Sequence, residues 1–203
     1  MISDLSFRVD HGQALLLTGP NGAGKTTLIR ALAGLLPWVG GEIELQDAVG
    51  DDRFCEQCHY VAHANAAKMD LTVRENLRFW VRFLNGVDGA EVAAIGSVGL
   101  TALADIPVRY LSAGQQRRVA IARLLVAQRT VWLLDEPTVS LDAANTARLV
   151  AFGNAHLASG GIIIAATHTP LGFEPTTELQ LEPVDMIEGP GDMWHAPQPE
   201  AGA

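Results

Sequence analysis

The segment GPNGAGKT at residues 19–26 has the residue types and the spacing that bind a polyphosphate. Its glycines let backbone N–H groups approach phosphate oxygens without interference from a Cβ atom. Lys25 supplies a positive charge for the β- and γ-phosphates, and the Thr26 hydroxyl is a ligand for Mg²⁺. A solvated glycine-rich turn is the alternative. The apolar strand pattern before the segment and the helical pattern after it favour a phosphate-binding loop.

Two carboxylates, Asp135 and Glu136, directly follow the apolar run VWLL. The carboxyl ends of parallel strands meet at one edge of a sheet, so these side chains are expected to share a crevice with the phosphate loop. Asp135 can hold Mg²⁺ directly or through water. Glu136 can then orient and deprotonate the water that attacks a γ-phosphate. By itself an Asp-Glu pair is an ordinary polar strand end, and only the phosphate loop makes the catalytic interpretation the stronger one.

The segment LSAGQ at residues 111–115 predicts a second helix start that could bind an anion. Ser112 is the expected cap, Gly114 allows close approach, and Gln115 completes a capping box. This segment has no lysine and no metal-binding carboxylate of its own. A head-to-tail dimer would solve this, because each segment could then cover the triphosphate that the other subunit holds.

The segment CEQCH at residues 55–59 spells the pattern by which c-type haem is covalently attached. Three interpretations are open: a haem attachment site, a metal site, or coincidence. A zinc site would need two further ligands, and none with matched spacing is evident. Covalent haem attachment takes place outside the cytoplasm, and no export signal is apparent. We therefore interpret the match as coincidence and expect no covalently bound haem.

Strand and helix patterns alternate along the chain, which predicts an α/β fold with a parallel sheet and an inserted helical part. Predicted strands lie at residues 13–19, 42–45, 59–63, 130–134 and 161–167. Predicted helices lie at residues 27–36 and 71–84, and a third follows Ser112. Trp80 is expected in the core of the helical part, or alternatively in a groove for a partner helix. Arg117 and Arg118 are expected on a solvated helix face.

Composition limits the possible functions further. The chain has 203 residues, of which 48% are hydrophobic and 18% charged, as expected for a folded domain. The formal net charge of −9 argues against nucleic acid as a partner. No apolar run reaches the roughly 18 residues that a membrane span needs. We predict one domain over residues 1–183, with a core at 1–67 and 126–183, a helical subdomain at about 68–125, and a disordered tail at 184–203.

Four motifs, in this order, resemble the ATP-binding cassette of ABC transporters: GPNGAGKTT, LSAGQQRRVA, VWLLDEPTVSLD and ATH. The resemblance covers residues 5 to 183 and implies a P-loop fold with a RecA-like sheet, a helical subdomain and a truncated N-terminal β-subdomain. It implies that ATP is bound by Gly19, Pro20, Asn21, Gly22, Ala23, Gly24, Lys25, Thr26 and Thr27, and across a dimer by Ser112, Gly114 and Gln115. It further implies that Thr26 and Asp135 hold Mg²⁺, that Glu136 is the catalytic base, and that His168 contacts the γ-phosphate.

The run LSAGQQRRVAIARL, the short chain and the segment THTPLG look like the ATPase subunits of the bacterial cytochrome c maturation haem exporter. That resemblance implies ATP hydrolysis, integral membrane partners, and a peripheral location on the cytoplasmic side of the inner membrane. An ABC transporter for another substrate and a weakly hydrolysing nucleotide sensor remain alternatives. ATPases of DNA repair share the 111–115 signature, but the interval from Thr27 to Ser112 is too short for their coiled coils.

Two positions depart from the ABC pattern. Ala64 stands where these cassettes usually carry a glutamine that touches Mg²⁺ and the membrane subunit, so His63 or Asn65 would have to substitute. Upstream of the phosphate loop no aromatic residue is evident that could stack on adenine. Phe7 is expected too late for that role, in the strand before the loop.

Overall fold

The computed structural model describes residues 5–46 and 53–182, and its centre is a parallel sheet of five strands. The strands are β1 (Ala14–Thr18), β2 (Cys58–Val61), β3 (Val131–Asp135), β4 (Ile162–Ala166) and β5 (Thr176–Gln180). Their order in the sheet is β2-β3-β4-β1-β5, and every neighbouring pair is parallel. The strands β1, β3 and β4 are apolar along their length because helices and loops cover both faces of the sheet.

The described residues form five α-helices: α1 (Lys25–Leu32), α2 (Val73–Phe83), α3 (Ala90–Ser97), α4 (Ala113–Ala122) and α5 (Ala143–Ala158). One face packs against α1, where Leu15 and Leu17 of β1 meet Ile29. The opposite face packs against the helices between β2 and β4 in a second, larger core. Trp80 is half-buried and packs against this second core, as predicted.

Both predicted capping boxes are confirmed. The Glu75 N–H donates to Thr72 Oγ1 at 3.1 Å, and the Thr72 N–H donates to Glu75 Oε2 at 2.8 Å. Ser112 and Gln115 make the same reciprocal pair at the start of α4. These bonds satisfy N–H groups that the first turn of a helix leaves without partners, which is why α2 and α4 begin at these residues.

Several sequence-based expectations about elements are corrected. Residues 42–45 do not form a strand; Ile43 and Leu45 pack against the core beside α1, so their alternation reflects burial rather than sheet pairing. Helix α1 ends at Leu32 instead of residue 36, because Gly34 adopts a φ of 72° and leaves the helical conformation. Strand β5 was not expected, because its largely exposed polar residues carry no apolar signal.

Residues 184–203, for which disorder is predicted, lie outside the described residues, and the boundary of the helical subdomain at residues 68–125 stays a prediction. Within the described ranges, no helix combines the length and the apolar character needed to cross a membrane.

Candidate functional site

The loop from β1 to α1 contains three glycines with positive φ values, which favour glycine. A Cβ on Gly19 would lie 2.3 Å from the carbonyl oxygen of Leu181, and Gly19 has a φ of 129°. Gly22 and Gly24 also have positive φ values, 84° and 96°. Gly24 caps α1 without any side-chain hydrogen bond to the first turn. The loop therefore presents the positive end of a helix with no side chain across it, which suits an anionic ligand.

Lys25 and Thr26 connect this loop to the sheet. The Lys25 ammonium donates to the carbonyl oxygens of Gly19 at 2.6 Å and Pro20 at 3.0 Å, so it lies over the loop. The Thr26 hydroxyl donates to Asp135 Oδ1 at 3.0 Å and thereby joins α1 to the end of β3. A hydroxyl and a carboxylate oxygen side by side are ligands that Mg²⁺ prefers, so the residues present fit this cation.

Asp135 is the last residue of β3, and Glu136 follows it in a different backbone conformation. Asp135 is 2% exposed. Glu136 adopts a φ of 48°, and its N–H donates to the carbonyl oxygen of Ala166 at 2.9 Å, beside the end of β4. Its carboxylate Oε1 lies 3.3 Å from Nε2 of His168, which follows β4. The structure therefore brings together the predicted residues Thr26, Asp135, Glu136 and His168 at one edge of the sheet.

The residues at the start of α4 lie apart from this group. Among the described residues, no hydrogen bond or ion pair joins residues 111–115 to residues 19–27. Gly114 instead approaches the loop after β3, where a Cβ on it would lie 2.8 Å from the carbonyl oxygen of Ser140. Ser112 and Ala113 are exposed. This helix start is thus presented to solvent and does not complete the site of its own chain.

Arg117 is buried, contrary to the prediction that it lies on a solvated face. It is 2% exposed, and its guanidinium donates to backbone carbonyls at the ends of β2 and β3. Burial lowers the pKa of Arg117, and the neighbouring carboxylates of Asp135 and Glu136 act in the opposite direction. Helical spacing could have indicated this burial, because Ala120 and Ile121, three and four residues later, are also buried. Arg118 is half-buried and donates to Val98 and Gly99 instead.

The segment after β2, where ABC cassettes usually carry a glutamine, contains both exposed and bonded residues. His63 and Ala64 are exposed, whereas Asn65 Oδ1 accepts a hydrogen bond from Arg117 Nη1 at 3.2 Å. Asn65 is therefore directed toward α4. Phe7 does not lie in a strand as expected, since residues 5–10 have no regular secondary structure.

The side chains of CEQCH belong to the opposite edge of the sheet. Cys58 Sγ donates to the carbonyl oxygen of Phe54 at 3.2 Å, and burial raises the pKa of this thiol to about 12. His59, 4% exposed, donates from Nε2 to the carbonyl oxygen of Ala127 at 2.7 Å. Burial lowers the pKa of His59 to about 4. Among residues 5–46 and 53–182, no group of three or more His, Cys, Asp or Glu could hold a metal.

Comparison with known proteins gives consistent matches. The sequence model of the ABC transporter family matches residues 2–139. The cytochrome c biogenesis ATP-binding export protein CcmA of Nitrobacter winogradskyi is 52% identical over 173 residues, which is 85% of this chain and 86% of that protein. The protein of the same name from Rhizobium meliloti is 49% identical over 186 residues, 89% of this chain and 90% of that protein.

Solved structures show the same fold at lower identity. An ATP-binding subunit of an ABC transporter has a TM-score of 0.72 and 24% identity, covering 81% of this chain and 72% of that one. A dimeric ATP-binding cassette bound to ADP and Pi has a TM-score of 0.73 and 22% identity, covering 86% and 85%. The predicted P-loop cassette fold is thus confirmed, and the chain belongs to the ABC transporter family, in which cytochrome c biogenesis ATP-binding export proteins are its relatives.

Proposed function

We propose that this chain is the ATP-hydrolysing subunit of an ABC transporter complex that powers haem export or delivery in cytochrome c biogenesis. The observation that carries the hydrolytic part is the pair Glu136–His168, with 3.3 Å between Oε1 and Nε2, beside the hydrogen bond between Thr26 and Asp135. The haem part is supported by relatives that are about half identical and are named export proteins of cytochrome c biogenesis.

The phosphate loop, residues 19–27, binds the triphosphate of ATP. Lys25 exchanges its bonds to the carbonyl oxygens of Gly19 and Pro20 for contacts to the β- and γ-phosphates. Thr26 and Asp135 would hold Mg²⁺. When bound, Mg²⁺ would neutralise part of the charge on the β- and γ-phosphate oxygens.

Glu136 and His168 act on the attacking water. Glu136 accepts a proton from the water whose oxygen bonds to the γ-phosphorus, while the bond from that phosphorus to the β–γ bridging oxygen breaks. His168 Nε2 lies 3.3 Å from Glu136 Oε1, so it orients the carboxylate, and it contacts the γ-phosphate when ATP is bound. Release of phosphate removes this contact, which gives the site two states that differ by one ligand group.

A second copy of the chain completes the nucleotide site. Ser112, Gly114 and Gln115 cover the triphosphate of the partner subunit, which is supported by the exposed start of α4. We expect the Glu136→Gln variant to sediment as a dimer with MgATP and as a monomer with MgADP. If it stays monomeric with MgATP even beside its membrane partners, the dimeric arrangement is wrong.

The complex places this chain on the cytoplasmic side of the bacterial inner membrane, bound to integral membrane subunits. The test is co-purification with haem-handling membrane proteins of the same cell, followed by ATPase assays with and without haem. We expect co-purification and a change in turnover on addition of haem. Co-purification with an unrelated transporter, and turnover that responds only to that transporter's substrate, would reject the haem assignment while leaving the ATPase assignment intact.

A further inference from the structure

The guanidinium of Arg117 uses all five of its N–H donors. Nε donates to the carbonyl oxygen of Pro137 at 3.0 Å. Nη1 donates to Ala62 O at 2.6 Å and to Asn65 Oδ1 at 3.2 Å. Nη2 donates to Asp135 O at 3.3 Å and to Glu136 O at 2.7 Å. One side chain of α4 therefore binds both the segment after β2 and the segment after β3.

A buried arginine such as Arg117 is unusual where a side chain only fills space in the core. Arg117 is 2% exposed, and within residues 5–46 and 53–182 no carboxylate oxygen is among its hydrogen-bond acceptors. An apolar side chain would fill the same volume without removing a charge from water. Only a planar group with five fixed donors can bind these backbone carbonyls at the same time. The guanidinium thus fixes the relative positions of the two segments that it binds, and one of them carries Glu136, the carboxylate that hydrolysis requires.

Hydrogen bonds fix the Glu136 backbone at its N–H group and at its carbonyl oxygen. Its φ of 48° lies in the left-handed region, which residues other than glycine adopt uncommonly. The Glu136 N–H donates to Ala166 O, and its carbonyl oxygen accepts from Arg117. With the backbone fixed at these two points, the side chain is directed toward His168. Loss of the Arg117 contact would free the carbonyl and let the residue leave this conformation.

We propose that Arg117 is a positioning residue for ATP hydrolysis, which holds the Glu136 backbone in its left-handed conformation and links it to the segment Ala62–Asn65. This inference rests on the proposed function. Its consequence is that a displacement of residues 62–65, which follow the edge strand β2, is transmitted through one guanidinium to the catalytic carboxylate. Glu136 would then be in place only when the segment after β2 is also in place.

The first test replaces Arg117 by methionine and by lysine and measures kcat and KM for MgATP. We expect Arg117→Met to lower kcat by roughly 10- to 10²-fold, the order expected for a displaced catalytic group. KM should change little, because the phosphate loop is not touched. Arg117→Lys should also lower kcat, because an ammonium keeps the charge but cannot bind the segments after β2 and β3 together. All rates are expressed per mole of bound ATP, so that any unfolded protein does not count.

The matched control is Arg118→Met. Arg118 is the next residue of the same helix, and its guanidinium donates to Val98 O and Gly99 O at the end of α3. We expect its kcat per bound ATP to equal that of the wild type. A double-mutant cycle adds a second readout. In the Glu136→Gln background, Arg117→Met should cause no further loss, because both changes act through the same carboxylate.

Asn65→Ala covers the case in which the Arg117 variants fail to fold. It removes a single acceptor of Arg117 at a half-buried residue whose neighbours are exposed, and a lower kcat at unchanged KM is expected. Wild-type kcat per bound ATP in Asn65→Ala and in every Arg117 variant that folds would overturn the inference, as would an additive loss in the Glu136→Gln background. Neither result would touch the proposed function, which fails separately if the wild type hydrolyses no faster than Glu136→Gln.

Discussion

Motifs that suggest chemistry lie at both ends of the strands: at the carboxyl edge, where the strands end, and at the amino edge, where they begin. The side chains at the two edges make different kinds of contact. At the carboxyl edge, side chains from different segments meet one another, as in the Thr26–Asp135 bond and the Glu136–His168 pair. At the amino edge, the side chains of Cys58 and His59 bond to nearby backbone carbonyls. Histidine, which occurs at both edges, is therefore exposed beside a carboxylate at one edge and engaged by the fold at the other.

Two histidines make the comparison concrete. The side chain of His168 is 52% exposed and faces a carboxylate. His59 is 4% exposed, and burial lowers its pKa to about 4. The histidine of CEQCH is therefore not accessible to a ligand, although the motif suggests chemistry. For His59 the fold uses the ring as a neutral donor within the core.

The largest effect on ATP binding is expected at Lys25. Replacing it by alanine removes the charge that we propose contacts the β- and γ-phosphates. We therefore expect MgATP binding to weaken by roughly 10²-fold, which corresponds to the free energy of one charge-assisted hydrogen bond. Equilibrium binding of a fluorescent ATP analogue measures this. The matched control is Lys68→Ala, at the other lysine of the sequence, where Nζ lies 4.3 Å from the ring centroid of Phe79. Equal weakening in both variants would mean that the carboxyl edge has no special part in binding.

A smaller effect is expected at His168. His168→Ala should lower kcat by on the order of 10-fold while ATP binding is retained, because Glu136 loses the group that orients it. The control is His11→Ala, at an exposed histidine before β1 whose Nδ1 contacts Gly160 O. Single-turnover phosphate release separates chemistry from product release. An equal loss in the control variant would remove the distinction between the two edges.

The smallest effect is a pH dependence of stability from His59. Its pKa is about 4 in the folded chain against an ordinary value of 6.5, so the unfolded chain binds the extra proton between these pH values. Stability from this group is fully present above pH 6.5 and is lost as pH falls toward 4. Between pH 7.5 and 5.5 we expect a loss of about 1 kcal/mol in the free energy of unfolding, measured by urea denaturation.

His59→Gln should remove this part of the pH dependence, because glutamine can donate to Ala127 O and does not titrate. His156, whose pKa burial also lowers, retains its own contribution. The nearby cations Arg123 and Arg129 push the pKa of His59 in the same direction as burial does. An unchanged pH profile in His59→Gln would show that this histidine is accessible to water and that the amino edge is more open than described.

The sequence was sufficient for the parts of the fold and site that depend on local pattern. The apolar strands β1, β3 and β4, the two capping boxes and the phosphate loop are readable because each has a local physical cause. Strand β5 was not readable, because an exposed edge strand needs no apolar residues. Residues 42–45 alternate between polar and apolar types because Ile43 and Leu45 pack against the core, and they do not pair with a strand.

Arg117 shows a different limit. An arginine on a helix is usually solvated, and its burial here depends on carbonyls contributed by segments that are distant in the sequence, at residues 62 and 135–137. Only the folded chain brings these acceptors together. The resemblance to ABC cassettes implied roles for Glu136 and His168 at one site, whereas neither their direct contact nor the guanidinium that holds the Glu136 backbone was predicted.

The most direct measurement is phosphate release by the wild type and by Glu136→Gln, each with its membrane partners and each normalised to bound MgATP. Glutamine keeps the shape of the side chain but cannot accept the proton of water. We expect turnover to fall by at least ~10²-fold while ATP binding is unchanged. Equal turnover in the two proteins would contradict the assignment of Glu136 and of the carboxyl edge to catalysis.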